Sequence, residues 1–119
     1  MMWMVVWVGL GGAVGTIARY SIGLLFAASS FPWATMAINV VGSFTIGVLW
    51  SLCADQDWFV EWGRGFLLVG VLGGFTTFSA FSLETLLLID DGRMTMAVVY
   101  TLATVALCLL GVWLGSKVT

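Results

Sequence analysis

The strongest pattern along the chain is a series of long apolar runs without any charged residue. The first 18 residues carry no charge, and neither do the 35 residues from Tyr20 to Ala54. Two further runs cover residues 65–83 and 94–116. A membrane-spanning helix needs about 20 apolar residues, and the single proline, Pro32, divides the second run at a turn. The pattern predicts four spanning helices, over residues 3–27, 33–53, 64–88 and 94–116, in one membrane domain covering residues 1–119.

Composition supports an all-α integral membrane protein. Of the 119 residues, 61% are hydrophobic and only 8% are charged, whereas an ordinary soluble domain carries about 25% charged residues. A net charge of −2 without a basic cluster argues against nucleic acid as a partner. The chain has no histidine and no paired carboxylates at a plausible site, so we expect neither an acid–base enzyme nor a metal centre built on such side chains. The N-terminus lacks the basic region of a cleaved signal peptide.

The basic residues do not favour one orientation in the membrane. With four spans, Arg64 and Lys117 fall on the side of the N-terminus, and Arg19 and Arg93 lie toward the other side. Orientation normally follows an excess of Lys and Arg in cytoplasmic loops. A short chain can have too few charges to show such an excess. The alternative is dual topology, in which the chain inserts both ways up and two copies pair antiparallel as a twofold homodimer.

Small residues recur at helical spacing in three of the predicted spans. Gly11 and Gly15, Ser43 and Gly47, and Gly70 and Gly74 are each four residues apart. Helices in lipid associate through close backbone approach at such faces. We expect these faces to be structural.

The third span contains an unusual segment, GGFTTFSAFS from Gly73 to Ser82. It holds two glycines and four hydroxyl residues, and Gly73-Gly74 followed by Thr76 should break or unwind the helix near its middle. Irregular backbone at membrane depth is tolerated only where it is buried in protein or lines a wet cavity. Its exposed carbonyls could hold a cation such as Na⁺. The segment therefore predicts a transport site.

Several side chains inside the spans permit two interpretations. Asn39 could line a pore or join helices by a hydrogen bond. Tyr100, Thr104 and Cys108 form a row at i, i+4 and i+8, which could line a water-filled path or simply bond their own backbone. Phe78 and Phe81 could be core residues, or could present positive ring edges to an anion. The hydroxyls that would add donors on neighbouring faces belong to Thr76, Thr77, Ser79 and Ser82.

Two charged residues lie close to the hydrocarbon region. Intramembrane ionisable residues suggest function, but both Arg19 and Glu84 lie near predicted helix ends, where long side chains snorkel. Arg19 suits a positive vestibule for an anion. Glu84 could be a cap, a partner or a gate.

The chain resembles the Fluc (CrcB) fluoride channels. Three segments carry the resemblance: GGAVGTIARY from Gly11, NVVGSF from Asn39 and GGFTTFSAFS from Gly73. They occur in the family's order, one in each of the first three helices, and the third is highly specific.

The resemblance implies an antiparallel, dual-topology homodimer with two fluoride pores, multi-pass in the cell (inner or plasma) membrane and surrounded by lipid bilayer. It implies that Asn39 coordinates or gates fluoride and that the edges of Phe78 and Phe81 face the ion. A structural Na⁺ at the dimer centre would bind backbone carbonyls of Gly73 and Thr76. The remaining residues implied for the pore and its surroundings are Ser79, Thr77, Tyr100, Thr104 and Cys108 in the pore, Arg19 at the vestibule, and Glu84 as a possible gate or partner.

The function predicted from these features is passive, fluoride-selective export that relieves fluoride toxicity. The main alternative is a small proton-coupled multidrug or guanidinium exporter, which is also short and four-helical. That chemistry needs a carboxylate in the first helix, where this chain has Arg19. A second alternative is a non-transporting assembly subunit.

Overall fold

The computed structural model describes residues 2–118, and these contain four helical segments long and apolar enough to cross a membrane. They comprise α1 (Met2–Leu25), α2 (Trp33–Cys53), a third span divided into α3 and α4, and α5 (Met94–Gly115). The four predicted spans are confirmed. α1 ends two residues earlier than predicted, at Leu25, and the third span begins at Phe59 rather than residue 64. The charge-free window missed this start because Glu61 and Arg64 lie in its first turns, near the membrane surface.

The third span changes its helical form along its length. α3 is π-helical over Phe59–Leu72 and α-helical over Gly73–Phe75, and α4 covers Phe78–Asp90. The wide turn is visible at its end, where the Gly73 N–H bonds Leu68 O, five residues back. π-helix is rare and is found mostly as single turns at functional sites. No signal in the sequence predicted it.

The helices pack as two close pairs, α1 with α3 and α2 with α5. Glycines make both contacts possible. A Cβ on Gly11 would lie 2.7 Å from Phe66 O and 3.2 Å from the Cα of Gly70, and a Cβ on Gly111 would lie 3.3 Å from Val40 O. Because the small residues let backbones touch, they serve the structural role expected of them.

α4 packs against the α2–α5 pair through the main apolar cluster. Its side chains Phe81 and Leu88 pack with Met36 of α2 and with Ala97 and Tyr100 of α5. Tyr100 is fully buried there. This cluster fixes α4 against the face of α2 and α5 that carries the polar rows.

Many large apolar side chains on the helices are exposed in the single chain. A soluble monomer rarely exposes so much contiguous apolar surface. Together with the four spans, this surface identifies a multi-pass membrane protein. Both cysteines, Cys53 and Cys108, are free and half-buried.

Candidate functional site

The third span is interrupted at Thr76 and Thr77. Both residues have extended backbone, with φ −85° and ψ 158° at Thr76 and φ −154° and ψ 119° at Thr77. The break was predicted over Gly73, Gly74 and Thr76; Thr76 is part of it, whereas Gly73 and Gly74 remain helical. Gly74 instead permits close approach to the backbone of Gly12. The span as a whole is only slightly bent.

The two threonines complete the helix ends on either side of the break. Thr76 donates its hydroxyl to Leu72 O at 2.8 Å, in the last turns of α3. Thr77 accepts the Ala80 N–H at 3.1 Å, and so acts as the N-cap of α4. The Thr77 hydroxyl therefore replaces a backbone partner at the start of α4. The Thr76 hydroxyl adds a second donor to Leu72 O, which also accepts the Thr76 N–H at 2.9 Å.

Asn39 holds the interrupted backbone with both ends of its amide. Its Nδ2 donates to Thr77 O at 3.0 Å, and its Oδ1 accepts the Thr77 N–H at 2.8 Å. This pair of bonds fixes the orientation of the amide and joins α2 to the break. Asn39 also lines a cavity of about 380 Å³ with Thr76, Phe78 and Cys108. The residue thus joins helices and faces a cavity, so the two interpretations of its role are compatible.

Arg19 turns toward the break. Its Nε donates to Gly74 O at 3.1 Å. The half-buried side chain also lines a cavity of about 310 Å³ with Thr35, Thr77 and Glu84. A cation bonded to a carbonyl at this depth places positive charge beside the break.

Glu84 has two hydroxyl donors on two other helices. Thr35 Oγ1 donates to Oε1 at 2.7 Å, and Tyr100 OH donates to Oε2 at 2.9 Å. These bonds stabilise a partly buried carboxylate, which would be costly without partners. Thr35 was not among the predicted site residues. The spacing of Thr35, Asn39 and Ser43 at i, i+4 and i+8 was the signal that could have identified it.

The aromatic rings continue from this carboxylate toward the outside of the chain. Phe81 lies 5.1 Å from Tyr100 and 5.4 Å from Phe78 between ring centroids, with interplanar angles of 48° and 53°. Phe81 is 7% exposed, whereas Phe78 is 75% exposed. The two predicted phenylalanines are therefore in contact, one in the core and one on the surface of the single chain.

The row of Tyr100, Thr104 and Cys108 on α5 extends from Glu84 to the cavity beside Asn39. Tyr100 bonds Glu84, and Cys108 lines the cavity beside Asn39. Between them, Thr104 is 5% exposed, and its Oγ1 is the one buried side-chain polar atom in residues 2–118 without a hydrogen-bond partner. Threonine in a helix can bond its own backbone, but Thr104 does not. An unpaired buried hydroxyl costs free energy unless a ligand or water uses it.

Ser79 is exposed and lies beside the break. Its Oγ is 3.3 Å from Thr77 Oγ1. The hydroxyl side chains at the break therefore reach an exposed position, next in sequence to exposed Phe78.

The predicted cation ligands are backbone atoms at the break. Arg19 and Asn39 take the carbonyls of Gly74 and Thr77, so neither side chain takes the carbonyls of Gly73 and Thr76. Within residues 2–118, no group of three or more His, Cys, Asp or Glu side chains could hold a metal. Carbonyl oxygen suits a hard cation such as Na⁺.

Comparison with known proteins gives consistent matches over nearly the whole chain. The family described as "CrcB-like protein, Camphor Resistance (CrcB)" matches residues 6–116. The "Fluoride-specific ion channel FluC" of Paramagnetospirillum magneticum is 50% identical over 114 residues, covering 91% of this chain and 88% of that protein. Proteins of the same name from Opitutus terrae and Elusimicrobium minutum are 45% and 48% identical, covering 92% and 91% of this chain and 86% of each relative.

We expect Asn39→Ala to destabilise the protein in detergent. The exchange leaves the Thr77 N–H and C=O without partners, and each unsatisfied buried group costs about 1–3 kcal/mol. The midpoint of thermal unfolding should fall by several degrees.

Thr45→Val is the matched control on the same helix, because the Thr45 hydroxyl bonds only Val41 O of its own helix. A midpoint for Asn39→Ala equal to that of the control would contradict the role of Asn39 in holding the break.

Proposed function

Because the chain belongs to the CrcB family, we propose that it is a fluoride-selective ion channel through which cytoplasmic fluoride leaves the cell passively. The relatives named above are called fluoride-specific ion channels, and an ion channel is not an enzyme class. The exporter alternative has no support from these relatives. Nor does the first helix carry the carboxylate which that alternative requires.

The observation that carries the proposal is the row of hydroxyls and rings on α5 and α4. It runs from the Glu84–Tyr100 pair past Phe81 and Thr104 to Cys108. Only Thr104, in the middle of this row, has an unused buried hydroxyl. A small anion that accepts hydrogen bonds would satisfy it. Hydroxyls donate through a rotatable O–H, so they adapt to a passing ion.

A narrow path of this kind must replace the water around the ion. Hydroxyl donors would supply hydrogen bonds, and ring edges would supply partial positive charge. The larger chloride ion would be disfavoured by the size of the path and the placement of its donors. A thiol is a weak donor, so Cys108 would contribute less than Thr104.

The driving force comes from the membrane. Fluoride enters cells as neutral HF at acid pH and ionises inside. The negative interior then favours its exit by about 2.3 kcal/mol per charge at 100 mV. A passive channel of this kind requires no proton relay. Its place of action would be the cell (inner or plasma) membrane.

The second part of the proposal is an antiparallel homodimer of dual topology. Phe78, Ser79 and Gly73 lie exposed at the middle of the span, and a Cβ on Gly73 would meet only Leu68 O, at 3.6 Å. Polar groups at this depth need protein or water around them. A second copy covering this face would enclose them, and the balanced basic residues allow both orientations.

The third part is a structural Na⁺ at the centre of that dimer, bound by the carbonyls of Gly73 and Thr76. Extended backbone at Thr76 frees carbonyls that a continuous helix would use. The ion would supply positive charge between two helix breaks.

We expect purified protein in liposomes to release fluoride, measured with a fluoride electrode after valinomycin is added. Phe78→Ile and Phe81→Ile should abolish the release, because an aliphatic side chain has no positive ring edge. Chloride release at an equal rate would contradict fluoride selectivity, and no flux of either ion would favour the assembly subunit.

We expect Thr104→Val to separate conduction from stability. Valine removes an unpaired buried hydroxyl, so the unfolding midpoint should stay level or rise, while fluoride release falls about tenfold or more, a loss equivalent to about 1.4 kcal/mol.

Thr101→Val makes the same exchange on the same helix, in a separate apolar hollow shared with Val98 and Leu102. Equal flux in the two variants would remove Thr104 from the path.

We expect a reporter fused to the C-terminus to be found on both sides of the membrane, and purified protein to have the mass of a dimer. Replacing Na⁺ by N-methylglucamine should lower the thermal stability of that dimer. A single orientation would remove dual topology, and equal stability in the two salts would remove the sodium site.

A further inference from the structure

One mouth of the protein is a cavity of about 340 Å³ between the α1–α2 loop and the α4–α5 turn. Its lining includes Ser30 and Thr35, and it contains three charged side chains, those of Glu84, Asp91 and Arg93. Through Thr35 and Glu84 it adjoins the cavity of Arg19. Glu84 therefore lines both cavities.

Arg93 is the only cation that lines this mouth. Two carboxylates line it as well, and Asp90 adjoins Asp91 in the turn. Without Arg93, the charge of the lining would be wholly negative and would repel an approaching anion. Arg93 is therefore important for the charge of the lining although it is a single cation beside two carboxylates.

The guanidinium is held in place by neutral groups. Nη1 donates to Ser30 O at 2.7 Å, and Nη2 contacts Met96 Sδ. The backbone is fixed as well, because the Arg93 N–H bonds Leu88 O at 2.8 Å and its carbonyl accepts the Ala97 N–H at 3.0 Å. Neither the carbonyl nor the thioether carries a negative charge that would neutralise the guanidinium. The positive charge of Arg93 therefore still acts on ions in the cavity.

Two helix ends add to that field. α2 begins at Trp33 and α5 at Met94, both beside the cavity, and neither has a side-chain cap. Helix N-termini carry partial positive charge. They reinforce the effect of Arg93 against the carboxylates.

We propose that Arg93 raises the rate of conduction, because its positive charge increases the local fluoride concentration at this mouth against the charges of Glu84 and Asp91. It acts through its field and does not bind the ion. The inference rests on the proposed function. Charged clefts raise local ion concentration in this way, and salt screens the effect.

The test compares initial fluoride release from liposomes at two ionic strengths set by potassium gluconate, with a few millimolar Na⁺ present. At about 10 mM the Debye length is about 30 Å, and at about 1 M it is about 3 Å. Arg93→Gln removes the charge but keeps an N–H donor for Ser30 O. Arg93→Lys keeps the charge.

We expect Arg93→Gln to reduce release about threefold or more at the lower ionic strength and to match wild type at the higher one. Arg93→Lys should stay within about twofold of wild type at both. Asp91→Asn leaves the Ser30 contact intact and should increase release at the lower ionic strength only.

Several outcomes would overturn the proposal. A loss in Arg93→Gln that is equal at both ionic strengths, or an equal loss in Arg93→Lys, would make Arg93 a structural link only. If Arg93→Gln fails to fold, Asp91→Asn decides, and no gain at low ionic strength overturns the proposal. Wild-type protein that releases no fluoride would refute the proposed function and this inference together, whereas fluoride release insensitive to charge refutes only the inference.

Discussion

The structure depends on satisfying the backbone at Thr76 and Thr77 in the middle of a membrane span. Extended residues there leave amide groups that lipid cannot hydrogen-bond. The Thr77 hydroxyl, the amide of Asn39 and the guanidinium of Arg19 take groups at the break. The Thr76 N–H keeps its helical bond to Leu72 O. The partners come from α1 and α2 as well as from the third span itself. Close helix packing through glycine is what brings them within reach.

The sequence predicted the general architecture because the relevant signals are local. Charge-free runs located four spans, and the glycine and hydroxyl residues indicated an interrupted third helix. The interruption lies at Thr76 and Thr77, at the C-terminal end of the segment where it was predicted. The glycines in that segment stay helical, because Gly74 is used for close contact with α1. The break lies where Asn39 and the Thr77 hydroxyl can take backbone groups.

Long-range partners could not be predicted from the pattern. Nothing in the sequence joins Arg19 to Gly74 O, or Thr35 to Glu84, because the partners are 55 and 49 residues apart. The row of Tyr100, Thr104 and Cys108 could be read from helical spacing. The unpaired state of Thr104 could not, since it depends on what surrounds the hydroxyl on every side.

The pairing of the helices also constrains how the protein is made. α1 packs mainly with α3, and α2 packs mainly with α5, so the first two helices to be synthesised are not each other's main partners. During synthesis, α1 and α2 enter the bilayer before the surfaces that will cover their glycine faces exist. Contacts between distant segments form late and slow folding. Until α3 and α5 have been made, the glycine faces of α1 and α2 are therefore open to contact with other membrane proteins.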